Sequence, residues 1–70
     1  MPVTEVVLAG GARLRVEGDA HDVEGIILSA ARGSLMELAW LVDAETGLRA
    51  GVNPEHVVMV RAIAPDIGAA

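Results

Sequence analysis

Leu35–Ile63, LMELAWLVDAETGLRAGVNPEHVVMVRAI, is the stretch whose reading decides the fold. It holds the only tryptophan of the chain, its densest β-branched runs and its clearest turn chemistry. It reads as three consecutive strands. The first two form a hairpin closed by Asp43-Ala44-Glu45-Thr46-Gly47, with Gly47 expected at positive φ. Asn53-Pro54 then makes a corner, because proline fixes its own φ and turns the residue before it away from helix. The last strand, Val57 to Ile63, is apolar on both faces except at Arg61, the pattern of a central strand. Alternation places Met36, Leu38, Trp40 and Val42 on the face expected to be core. Glu37, Ala39, Leu41 and Asp43 take the other face, and Leu48, Ala50 and Val52 point inward along the middle strand.

Upstream of this unit lies a second hairpin and a helix. Thr4 to Ala9 and Ala12 to Glu17 flank Gly10-Gly11, and two glycines between β-rich runs predict a two-residue type I′ turn. That loop length sets Ala9 against Ala12 and Val7 against Leu14. One face then carries Val7, Ala9, Ala12, Leu14 and Val16, and the other Val6, Leu8, Arg13, Arg15 and Glu17. Asp19 is the expected N-cap of a helix, with Asp22 and Glu24 favourably placed near its positive end. Val23, Ile26, Ile27 and Ala30 form one apolar stripe, and Gly33 is expected to end the helix. Gly25 sits within it and weakens it, unless close packing on the sheet requires it. The expected fold is α+β in the order ββαβββ, one helix packed on a five-stranded, largely antiparallel sheet. Residues 1–63 form a single small domain, and 64–70 a flexible C-terminal tail.

Seventy residues bury only about 60% of the surface that their unfolded chain exposes, so stability is marginal unless something helps. There is no cysteine, which removes disulfides and thiolate metal sites. The chain is 53% hydrophobic with a single aromatic residue, more aliphatic surface than a small sphere can hide. Self-association is therefore expected. The net charge is −5, and all five cations are arginine. Nucleic-acid binding draws on phosphate neutralisation, so an acidic chain argues against it, and against anionic membranes for the same reason. No apolar run approaches the roughly 20 residues of a transmembrane helix. The N-terminus lacks the pattern of a signal peptide, so a cytoplasmic location is the expectation.

Few residues point to chemistry. His56, beside Glu55 and near Asn53, reads either as an acid–base group or as cover for the corner that Asn53 and Pro54 shape; the second reading is preferred. His21 among Asp19, Asp22 and Glu24 offers metal-binding atom types, but acids at a helix start are ordinary capping. Gly10 and Gly11 lack the lysine and following helix of a phosphate loop. Ser29 and Ser34 have no histidine at a catalytic spacing, and no nucleophile elbow exists. Catalytic residues, a cofactor and a metal are thus not expected. Arg13 and Arg15 project from one strand face two residues apart and can fork onto carboxylate or phosphate oxygens. The plainer reading pairs them with Glu17 or with the acidic helix of a neighbouring copy.

At Val52-Asn53-Pro54-Glu55-His56-Val57-Val58-Met59-Val60 the chain resembles a family of short proteins of unknown function from high-GC bacteria and their phages. Their closing strand is introduced by V-N-P-x-H-V-V-x-V. The motif is structural, a corner followed by a strand, and the resemblance implies no catalytic residues. The function expected is that of a non-enzymatic interaction module, a homo-oligomer that binds a protein partner, with Val6, Leu8, Leu41 and Met59 at its interfaces. The alternatives are an oligomeric binder of a nucleotide-like anion, using Arg13 and Arg15 at subunit junctions, and a structural component of a larger, phage-type assembly.

Overall fold

The computed structural model describes residues 2–33 and 37–63. Their order is β1 (Val3–Leu8), β2 (Arg13–Glu17), α1 (Ala20–Ala31), β3 (Ala39–Val42), β4 (Arg49–Val52), a 3-10 turn (Pro54–His56) and β5 (Val57–Ile63). The class is α+β with antiparallel pairing throughout. The expected single five-stranded sheet is instead two sheets, β2-β1-β5 and β3-β4. They touch at one bridge, Val16 with Asp43, where the Ala44 amide also donates to the Arg15 carbonyl at 2.8 Å. The reason lies in the connection. The chain runs from β2 to β3 through α1, and Ala39 and Leu41 turn into the same core as the helix residues Val23, Ile27 and Ala30. β3 therefore serves the helix, and it meets β2 only where its strand ends.

The expected turns form. Asp19 caps α1, its Oδ1 accepting the Asp22 amide at 2.9 Å. Asp43 closes the β3–β4 hairpin, accepting the Glu45 amide at 2.7 Å, and Gly47 has φ +75°. Asn53 accepts the Glu55 amide at 2.9 Å and so starts the 3-10 turn. The carbonyl of His56 accepts the Ala9 amide at 2.7 Å, tying this corner to the first hairpin. Gly33 follows the C-cap residue Arg32 without a positive φ. Met36 and the C-terminal residues 64–70 lie outside the described residues.

The facial assignments of both hairpins change. In the first, Gly10 and Gly11 do take positive φ, +94° and +97°. The Gly11 amide, however, donates to Leu8 and the Leu8 amide to Ala12, so the loop is Ala9–Gly11 rather than two residues. Ala9 and Gly10 are the central residues of the Leu8–Gly11 turn, and Ala9 is not at positive φ, which a type I′ turn requires at both. One extra loop residue moves the register by one and exchanges the faces of β1, while Leu14 and Val16 of β2 stay on the apolar side and Arg13, Arg15 and Glu17 on the other. Val6 now opposes Leu14 and Thr4 opposes Val16, while Val7 lies beside Arg13. Val6 and Val16 are fully buried, and Leu8 and Leu14 pack partly against them. Thr4 is buried with its hydroxyl donating to the Gly18 carbonyl at 2.9 Å, so the core carries no unpaired group there.

In the second hairpin Ala39 and Leu41 face the core, and Trp40 is 51% exposed, the reverse of the expectation. Leu48 is exposed as well, whereas Val52 is buried and Ala50 partly so. Small residues on both sides of the layer, Ala30 and Ala39, let helix and strand approach. The indole lies over β4 instead, where Gly51 leaves room and the Arg49 guanidinium sits 5.4 Å from the ring centre. Finally, β5 has the composition of a central strand but lies at the edge. β1 is the central strand of its sheet.

Candidate anion-binding face

The shifted register builds the outer face of the three-stranded sheet, the side away from the core. Three cross-strand rows cover it: Arg13–Val7–Met59, Arg15–Glu5–Arg61 and Glu17–Val3–Ile63. Glu5 is the centre of this lattice and is only 5% exposed. An Arg61 guanidinium nitrogen donates to Glu5 Oε1 at 2.6 Å, a charge-assisted bond that satisfies the covered carboxylate. That bond holds the Glu5 carboxyl below its ordinary value. Burial opposes the lowering, and the charges of Arg61, Arg13 and Arg15 add to it. Glu5 thus senses all three arginines at once.

Three of the five arginines of an acidic chain share this face. Arg13 and Arg15 are exposed, and the ion pair among the described residues is Arg61 with Glu5, not the expected pairing with Glu17. Arg61 is anchored by Glu5, whereas Arg13 and Arg15 stand exposed on the β2 side. Val7 and Met59 border the arginines with apolar surface, and Met59 is 45% exposed.

Of the residues expected at an interface, Val6 and Leu41 are in the core at 0% and 3% exposure, and Leu8 is partly buried beside them. Their place inside follows from the exchanged faces. Met59 alone of the four is on an outer surface. Reading along the sequence missed Glu5 and Arg61, which lie 56 residues apart and meet only through the β1–β5 pairing. Arg61 is the one cation of β5 and Glu5 the one acid of β1, a pairing that could be read only once the two strands were known to be neighbours.

The two histidines are exposed and lie apart from this face. His56 ends the 3-10 turn. His21 stands in the first turn of α1 on the rim of a groove of about 740 Å³ that runs between the helix and β3. Among the described residues no three His, Cys, Asp or Glu side chains gather closely enough to hold a metal ion. Among them, too, no helix is long and apolar enough to cross a membrane. Comparison with protein families, with curated proteins and with solved structures found no match to this chain.

Proposed function

We propose that this chain is a non-enzymatic interaction module that assembles with copies of itself and binds a protein partner. The position of β5 carries the reading. Its sequence, VVMVRAI, is apolar except at Arg61, yet on its outer side no strand among the described residues pairs with it. An edge strand presents a row of unpaired amides and carbonyls, and proteins ordinarily blunt such an edge with lysine, proline or a bulge. β5 has neither lysine nor proline. Its register shift, between the partners of Val7 and Leu8, leaves Met59–Ile63 in regular register. Val58, 67% exposed, extends the apolar surface at that edge. Edge pairing between two copies satisfies both rows of backbone groups and covers this surface.

The test is absolute mass by light scattering across a dilution series, for the wild type and for a Val58→Lys, Met59→Lys double variant. The expected result is a multiple of 7.2 kDa that the two lysines reduce to the monomer without loss of folded signal. A wild type that stays at 7.2 kDa throughout sinks self-assembly.

A second reading is supported by Arg61 joining Arg13 and Arg15: the face takes a nucleotide-like anion. In the order β2-β1-β5, β5 edge pairing leaves Arg13 and Arg15 on the outermost strands, so this anion would lie on the β2 side of each copy and not at a β5 junction. Thermal unfolding with ATP or pyrophosphate at matched ionic strength reads it, since a ligand at 100 times its Kd stabilises by about 2.7 kcal/mol. Arg13→Glu with Arg15→Glu is expected to abolish the shift. A shift that survives both changes assigns the anion elsewhere.

A further inference from the structure

The groove between α1 and β3 has features that the fold itself does not use. Its walls expose Ile26 from the helix, with Leu38 and Trp40 from the opposite side. Asp22 and Glu37 line it with His21 beside them, and no arginine is among its described lining residues. Gly25 forms part of its helical wall. A Cβ built on Gly25 meets nothing within 4 Å, so no packing among the described residues requires a glycine there. Its effect is to keep the wall low beside Ile26. The chain's one tryptophan stands on the other side, its ring beside Gly51 of β4 and 5.4 Å from the Arg49 guanidinium. A pre-positioned aromatic loses little freedom when it is covered, which is how single tryptophans come to anchor interfaces.

We propose that this groove takes an extended segment of a partner protein in which a cationic side chain neighbours apolar ones. The inference rests on the reading that the chain binds a protein. Charge complementarity selects the occupant. Ile26, Leu38 and Trp40 cover the apolar residues, while Asp22 and Glu37 meet the cation, and an acidic segment is repelled by the same two carboxylates. The chain's own C-terminal residues, APDIGAA, carry an acid and no cation, and so do not answer the description.

Trp40 supplies the readout, because it is the one tryptophan of the chain and lines this groove. The full chain is titrated with the capped peptide Leu-Arg-Val-Arg-Leu and with its twin bearing Glu for Arg. Saturable change with the arginine peptide is expected, at an affinity roughly tenfold above the glutamate twin. Asp22→Asn with Glu37→Gln is expected to bring the two peptides to equal affinity. Gly25→Met fills the groove with a better helix former, and is expected to abolish the response while the melting temperature holds or rises. No saturable change with either peptide overturns the proposal, as does equal affinity of the two for the wild type. So does a Gly25→Met variant that still binds. If Trp40→Ala dissolves self-association while peptides do nothing, the groove is covered by a second copy and the proposal fails. Multiples of 7.2 kDa without peptide binding would remove the groove and leave the module. A monomer that binds the arginine peptide would remove self-assembly and leave the groove.

Discussion

Replacing a glycine by alanine is expected to stabilise this protein at one position and destabilise it at another. Gly25 is inside α1, its φ is not positive, and a Cβ there has open space to 4 Å. Gly25→Ala therefore keeps every contact and removes backbone freedom from the unfolded chain, a gain of about 0.5–1 kcal/mol. For a domain of this size that is a rise in melting temperature of about 2–8 °C. Gly51 is different. Its Cβ would stand 2.9 Å from Leu38 Cδ1 and 3.0 Å from the Trp40 ring. The leucine tip can swing away, but the indole is braced by Arg49 and must shift as a unit. Overpacking of this kind costs roughly 1–3 kcal/mol and outweighs the same propensity gain. The assay is reversible thermal unfolding by circular dichroism, with urea titration to check that the slope m is unchanged. Gly25→Ala must rise and Gly51→Ala must fall. A fall at Gly25 would mean that something outside the described chain presses on the helix there, and a rise at Gly51 would refute the placement of Trp40 over β4.

Other outcomes test the exchanged faces and the charge lattice. Val6→Ala, at a fully buried site, is expected to cost about 2 kcal/mol, whereas Met59→Ala stays within about 0.5 kcal/mol in the monomer; denaturant midpoints compare them. Leu41→Ala, by the same assay, is expected to lower stability by about 2–5 kcal/mol, more than removal of the larger but half-exposed Trp40. The Glu5 carboxyl is held below its ordinary value, so its contribution is fully present above the unfolded value and is lost as pH falls through the folded one. Glu5→Gln should thus melt lower than wild type at neutral pH, with the gap closing below the ordinary carboxylate range. A gap that persists unchanged in acid would show that packing, not ionisation, holds Glu5. Asp19→Ala is expected to cost about 1 kcal/mol by loss of the cap to Asp22, read from the helical signal.

Much of the element order was legible because its causes are local. Asp19, the Asp43–Gly47 loop and Asn53-Pro54 act on their own neighbours through side-chain caps and restricted φ, and each forms as expected. Arg13 and Arg15 were legible as a pair for the same reason: two residues apart on one strand, they must share a face. Arg61 and Glu5 were not, since their meeting depends on which strand lies beside β1.

Sequence alone therefore determined the strands, the helix, their order and the turns at Asp43–Gly47 and Asn53-Pro54, because propensity and capping are settled within a few residues; the length of the Gly10-Gly11 loop it did not. Tertiary structure decided which face of each strand is buried, and which strand is the edge. Alternation is symmetric between two faces, and one more residue in the Gly10-Gly11 loop was enough to turn the other face of β1 toward Leu14 and Val16 of β2. In the second hairpin, Ala39 and Leu41 went inward to the core they share with Val23, Ile27 and Ala30 of the helix, and Trp40 outward. The edge position of β5 rests on its pairing with β1 across most of the chain, a long-range choice that no local pattern encodes.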